Sequence, residues 1–410
     1  MRIPIGTLLC CWALWSPLVH AQVVLEEDFE SGAPGWTISD GVWEYGSAVY
    51  GPPTPALSGT SCASTVLDAD YPNAIDSRLI TPTFLVEPVD PGEEVVLEFF
   101  HFFQYAAPDA GRLQYRVVAA GGAFGPWLDL ELIGGAPAVF GSYSQVWSPT
   151  RVDLTFIGVP GPTEIQIAFL HDVNTSSTAA GWSIDDVTVS VASDRDGASF
   201  TTGFESGWDG WSTTSGIWEI GSNPIGAPGG VLEGSACIGT ILSDTNGLTP
   251  NGIDSRLISP VIQLPSISGA NEEVLLRFGT WHEYVVPDLG ALTIQRYDAL
   301  TGAWGSWEPL GITVQPNSMV WYPLQVDLSA DQGRRVRLGF LHDVNTSSPS
   351  NGWVVDALSI DVRAVPASFA EDFESGIGEW SVRGGIWEVG APPTGSAIAP
   401  PGGCIQGQGC

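Results

Sequence analysis

The segment Glu164-Ile165-Gln166-Ile167-Ala168-Phe169 alternates polar and apolar residues, so that 165, 167 and 169 share one face, as a half-buried strand requires. Arg335-Val336-Arg337-Leu338-Gly339-Phe340 repeats the pattern, with both arginines on the outside. Val95 to Phe103 and Val274 to Trp281 are more continuously apolar, as expected of central strands. Strict alternation along Asp185-Asp186-Val187-Thr188-Val189-Ser190-Val191 puts 185, 187, 189 and 191 on one face. The same rule places Asp356 on the apolar side of Asp356-Ala357-Leu358-Ser359-Ile360. No segment sustains a 3.6-residue period with helix caps. The expectation is an all-β chain.

Self-comparison organises these strands. Asp28-Phe29-Glu30-Ser31-Gly32 recurs as Gly203-Phe204-Glu205-Ser206-Gly207 and as Asp372-Phe373-Glu374-Ser375-Gly376. A tryptophan follows each opening (Trp36, Trp211, Trp380), then Val/Ile-Trp-Glu-x-Gly around Trp43, Trp218 and Trp387. A Gly-x-x-Cys comes next, ending at Cys62, Cys237 and Cys410. The first two copies stay in step through Ile75–Ile80 and Ile253–Ile258, Pro108-Asp109 and Pro287-Asp288, and the identical Phe-Leu-His-Asp-Val-Asn-Thr-Ser-Ser at 169–177 and 340–348. Glu30, Glu205 and Glu374 stand 175 and 169 residues apart, the size of a domain with its own core. Many short strands, Gly/Pro turns and units of this size predict tandem jelly-roll (concanavalin A-like) β-sandwiches. The expected boundaries are a signal peptide at 1–21, module 1 at 22–193, module 2 at 194–365, and the truncated start of a third at 366–410. That third piece stops about a quarter of the way through a module. It is expected to be disordered, or to belong to a longer protein.

Composition narrows the partners. Lys+Arg is 14 against Asp+Glu 46, for a net charge of −32, and every one of the cations is arginine. Such a field disfavours nucleic acid and anionic lipid surfaces, and it favours divalent cations. Arg2, the apolar stretch from Ile5 to Val19 and the small-residue site at Ala21 form a secretory signal. No other segment is long and apolar enough to span a bilayer, so no membrane insertion of the mature chain is expected, and the localisation is secreted or cell surface. Without Cys10 and Cys11 the chain keeps Cys62, Cys237, Cys404 and Cys410, one per complete module. That is no disulfide framework, and buried free thiols are expected.

The ordered set Phe-Glu-Ser-Gly, Trp, Trp-x-x-Gly, Gly-x-x-Cys, Ser-Arg-Leu-Ile-x-Pro, Val-Asp-Leu and Gly-Trp-x-x-Asp resembles the MAM-like jelly-roll modules of bacterial surface proteins. It is similar to the cleaved-adhesin modules of gingipain-type proteins and to the carboxy-terminal modules of immune-inhibitor-A-type peptidases. The resemblance implies a jelly-roll sandwich, often calcium-stabilised, serving adhesion, glycan or protein binding, or an accessory role beside a secreted hydrolase.

A carboxylate on the core-facing side of a closing strand needs a partner, because an unpaired buried charge is very costly. Glu30 and Glu205, near the first strand of each module, are candidates to share a cation with it. In related jelly rolls the first and last strands approach each other, so Glu30/Asp185 and Glu205/Asp356 are the expected metal ligands, with structural calcium as the ion. The alternative is that these acids accept loop N–H bonds without metal. His171/Asp172 and His342/Asp343 are adjacent on a strand and point to opposite faces, so they make no catalytic couple with Ser176 or Ser347. A turn held by polar side chains is the reading of those loops. Asp76/Arg78 and Asp254/Arg256, two apart, read as structural pairs. Tyr105, Tyr284, Trp281 and Trp307 are candidate sugar-stacking rings against a default of core packing.

No phosphate loop, nucleophile elbow, His-Glu-x-x-His or paired-carboxylate glucanase motif occurs. The expectation is a non-catalytic extracellular binding or adhesion protein with a glycan or protein ligand. The alternative is the accessory region of a secreted peptidase or glycosidase whose catalytic domain lies beyond residue 410. A third reading is a structural spacer.

Overall fold

A computed structural model describes residues 23–242, 252–269, 271–346 and 348–365, with 373, 374, 380, 382, 387 and 389. The expected signal peptide, Ser347, Cys404, Cys410 and nearly all of the third copy lie outside the described residues. The described residues form four sheets, two for each of the first two copies, with only a four-residue helix (Thr155–Gly158) and a short 3-10 turn (Ser329–Asp331) besides. Strands up to Ser193 join the first two sheets, and strands from Arg195 join the second two. This is a tandem β-sandwich.

In the first module one sheet runs Ser148–Asp153, Glu93–Gln104, Gly181–Ser193, Cys62–Ser64, Glu44–Gly46, and Val23–Glu27 also pairs with the closing strand. First and last strands are therefore hydrogen-bonded neighbours, antiparallel, with Glu27 opposite Val187. The other sheet runs Val139–Gly141, Ala110–Val117, Thr163–Asp172, Ser77–Ile80, Thr37–Ser39. Ile165, Ile167 and Phe169 point inward from it and meet Leu97, Phe99, Trp182 and Ile184 across the sandwich. Each such side chain contributes about 1.5–3 kcal/mol by leaving water. Module 2 repeats the plan around Trp218, Phe278, Phe340 and Trp353.

The closing strand departs from strict alternation. Its pairing with Glu93–Gln104 slips between Asp185 and Thr188, where Asp186 takes a positive φ of 47°. A bulge of this kind adds one residue and reverses the facing of the strand beyond it. Val187 and Val189 remain in the core, but Asp185 stands opposite Phe100 on the outer face of the sheet. The expectation of one common face for 185, 187, 189 and 191 is corrected accordingly. Ala357 carries the same bulge at φ 49° and turns Asp356 outward.

Four buried histidines are held neutral by desolvation. His101 is fully buried among Phe99, Phe103, Phe140 and Trp182, accepts from Trp182 Nε1 at Nδ1, and faces Thr150 Oγ1 with Nε2 at 3.1 Å. In module 2 the same place is Thr280, which accepts from Trp353 Nε1 at 2.7 Å. Burial pushes the His101 imidazole down to about 3. The unfolded chain takes up this proton first, so the stability His101 contributes is whole above 6.5 and is lost as pH falls toward 3. His101→Thr is expected to remove that dependence. Between pH 7 and 5 wild type should lose about 2 kcal/mol relative to the variant, read by denaturant unfolding at both pH values.

Candidate functional site

The four expected metal ligands are placed in two matched pairs, each closing on one loop. Asp185 Oδ2 accepts from Leu57 N at 2.9 Å and Ser58 N at 3.2 Å, and Oδ1 accepts from Asp186 N. Glu30 Oε1 accepts from Thr60 N and Ser61 N, and Oε2 from Thr60 Oγ1. Asp356 repeats this with Leu232, Glu233 and Ala357 N–H groups, and Glu205 with Ser235 N, Ala236 N and Ser235 Oγ. Gly59 and Gly234 sit against these glutamates at positive φ, and a Cβ at either would strike the carboxylate. That contact explains the recurring Gly-x-x-Cys. The cysteine that ends it is a buried free thiol in both modules, pushed up to about 12 by desolvation.

Backbone amides, with a loop hydroxyl at each glutamate, thus occupy three of the roughly four lone-pair sites of each carboxylate. Desolvation pushes Asp185 up to about 6, with Asp186 beside it, against the pull of its amide bonds. Asp356 is raised for the same reason, with Glu205 adding to it. Glu30 and Glu205 are held below the usual carboxylate range, Glu30 first by the Thr60 amide and Glu205 first by the Ser235 hydroxyl. Among the described residues no three His, Cys, Asp or Glu side chains gather as a metal shell.

The His-Asp-Val-Asn-Thr-Ser-Ser loops are turns, and the residue that holds them is Asp109 or Asp288. Asp109 Oδ1 accepts from Asn174 N and Thr175 N, and Oδ2 from Thr175 Oγ1 and Tyr71 OH. Asp288 repeats the bonds to Asn345 and Thr346. Tyr105 and Tyr284 lie in the core and meet His171 and His342 at 2.8 Å, and Trp281 is 3% exposed. These three rings have no open face for a sugar. Asp76 and Arg78 do not pair: Asp76 accepts from Val173 N, while Arg78 donates to Gln114. Asp254 likewise accepts from Val344 N, and Arg256 lies under Trp307 at 4.7 Å.

Trp307 leads to the feature that the sequence left unseen. Phe124-Gly125-Pro126-Trp127 corresponds to Trp304-Gly305-Ser306-Trp307, and both segments lie over the outer face of the inward-packed Ile/Phe sheet. In module 1, Arg116 stands 3.7 Å from the Phe124 ring and 4.4 Å from Trp127, and donates through Nε and Nη2 to Gln166 Oε1. Arg78 lies 5.8 Å from Trp127. Phe124 is 53% exposed and Trp127 half-buried, so this face is open.

In module 2 the equivalent face is covered by module 1. Arg337 lies 3.9 Å from the Trp304 ring and grips the Glu94 carboxylate through Nη2 at 2.7 and 2.9 Å. Arg335 holds Asp194, which directly follows the closing strand of module 1 and donates its N–H to Gly92 O there, bidentately at 2.6 and 2.8 Å. Module 1's edge strand Ser148–Asp153 also meets the 208–218 segment, with Ser148 Oγ donating to Trp218 O at 2.7 Å and Arg151 to Gly210 O at 2.7 Å. A cavity of about 450 Å3 remains at this junction, lined by Tyr115, Leu130–Gly135 and Phe156 on one side and by Gln295, Trp304 and Arg337 on the other.

No protein-family model and no curated protein match the chain. Among solved structures it is similar to the tandem CBM22-1–CBM22-2 domain of Paenibacillus barcinonensis Xyn10C, at 12% identity over 83% of this chain and 97% of that one, TM-score 0.26. It is also similar to the K1 cleaved adhesin domain of Lys-gingipain from Porphyromonas gingivalis W83, at 22% identity over 40% and 96%, TM-score 0.26. A third is TmCBM61 in complex with β-1,4-galactotriose, at 13% identity over 40% and 94%, TM-score 0.27. Likenesses at these scores establish neither a family nor a ligand.

The loop anchors generate a direct expectation. Asp185→Ala orphans three backbone N–H groups and should cost about 3 kcal/mol in chemical denaturation, on the scale of unsatisfied buried donors. Asp356→Ala should cost a similar amount in module 2, seen as a shift of its own unfolding transition.

Proposed function

We propose that this protein is a non-catalytic extracellular binding protein whose ligand face is the outer surface of the first module's sheet that contains Ala110–Val117 and Thr163–Asp172, and that its ligand is a glycan. The observation that supports it is the pairing of an exposed Phe124 and a half-buried Trp127, on the loop after Ala110–Val117, with Arg116 on that strand, which the buried Gln166 of the neighbouring strand holds in place. Aromatic rings beside fixed, planar hydrogen-bonding groups suit a sugar ring, which offers an apolar face and hydroxyl edges. The equivalent face of module 2 already serves the module junction, which leaves one such surface per tandem pair. Glycan-array screening of the whole protein, followed by titration of Trp127→Ala, tests the reading. Binding that falls about tenfold or more in the variant supports it. Binding that is untouched by Trp127→Ala and by Phe124→Ala places the ligand elsewhere.

Calcium enters this reading as a support for the loops. Glu30 with Asp185, and Glu205 with Asp356, are carboxylates brought to one loop, and each keeps about one lone-pair site beyond its amide and hydroxyl bonds. Calcium accepts such oxygens together with backbone carbonyls in a flexible shell. An ion that binds only the folded state must raise the melting midpoint. A lower midpoint in EGTA than in calcium, with the difference reduced in Glu30→Ala, is the expected result. Equal midpoints would leave these acids as loop anchors alone.

A further inference from the structure

The arginines divide into two groups. Among the described residues all are ion-paired except Arg78, Arg116 and Arg256. All three lie on the outer faces of the corresponding sheets, two of them on the open face of module 1. In a chain of 46 acids, arginines without a carboxylate are not explained by scarcity. Arg78 spends its Nε on Gln114 Oε1 at 3.1 Å, and Arg116 its Nε and Nη2 on Gln166. The two terminal nitrogens of Arg78 and Nη1 of Arg116 have no protein acceptor among the described residues.

Module 2 shows what this arrangement holds. Gln166 stands opposite Arg116 across the strand pair, and Arg337 stands opposite Gln295 at the matching rung. The same Arg–Gln rung is present in both modules, with the two residues exchanged between neighbouring strands. Each guanidinium lies under the corresponding ring, Phe124 at 3.7 Å and Trp304 at 3.9 Å. In module 2 the occupant is the carboxylate of Glu94.

A second copy of the module edge does not fit module 1 in the same way. Arg335, which clamps Asp194, is replaced there by Glu164, and Arg337 by Gln166. A Glu/Asp-bearing edge would meet a like charge at the site of its second clamp. Other acids on the face are engaged, since Asp129 is bonded to Gln114 and Asp172 is paired with Arg112.

We infer that the open face of module 1 selects a glycan bearing a carboxylate, a uronate on an otherwise mainly neutral chain, with Arg116 and Arg78 taking the carboxylate beside the Phe124 and Trp127 rings. The inference rests on the glycan reading above and deepens it. A sparse charge is favoured over a polyanion, because a net −32 repels the latter at long range.

The test is isothermal titration of the whole protein with a xylotriose carrying one glucuronate and with digalacturonate, each against its carboxyl-reduced neutral twin. At least one acid form should bind about tenfold tighter than its twin. That preference should vanish in Arg116→Gln and in Arg78→Gln, with melting midpoints near wild type in at least one of them. Neutral twins bound as tightly as the acids would overturn the inference and leave the glycan reading standing. Failure of every saccharide, acid and neutral, on titration and array alike would overturn both. Triglutamate bound as tightly, with the same arginine dependence, would overturn the saccharide class.

Discussion

The buried pair Arg337–Glu94 sets how the two sandwiches meet. Arg337 is 1% exposed and Glu94 7%, and neither charge could stay in such a place without the other. Desolvation pushes the Glu94 carboxyl upward while Arg337 and Arg335 pull it back. A buried ion pair adds little net stability, but breaking it by removing one partner is strongly destabilising. Its consequence here is geometrical. With Arg335–Asp194 and the strand-edge bonds of Ser148 and Arg151, it commits the outer sheet face of module 2 to the junction. The duplicated face in module 1 is released from that duty.

Loop anchoring follows a separate rule inside each module. The closing strand carries a bulge, the bulge turns an aspartate outward, and that aspartate collects the amides of the loop between the third strand and the Gly-x-x-Cys. Glu30, in the turn after the first strand, collects the amides of Thr60 and Ser61, and Gly59 at positive φ lets the loop come close enough. The acid residues that most resemble a metal site are therefore already employed, as hydrogen-bond acceptors for backbone that has no strand partner.

Much of this was legible in the sequence, for reasons that also explain what was not. Alternation at 164–169 and the ordered repeats carry fold class and module size, because burial of every second residue is written directly into composition. The same alternation misled at Asp185, since a single extra residue at Asp186 reverses facing and leaves no mark in a hydrophobicity pattern. Loop N–H groups were the stated alternative to calcium at Glu30, but which amides Glu30 and Asp76 take was hidden, because every residue has one. Repeat comparison also favours sameness. It drew attention to tyrosines 105 and 284, which are alike because both are core, and away from Gln166 and Arg337, where the copies differ.

That difference is where function is best sought. Two copies of a fold keep what the core demands and are free to diverge where a partner is met. The Arg–Gln rung keeps its chemistry in both copies while exchanging its strands, and its neighbour changes sign from Arg335 to Glu164. One copy retains the second clamp that a fixed partner needs. The other retains the guanidinium and its ring but drops the clamp, which is the form expected of a surface meeting a ligand that comes and goes.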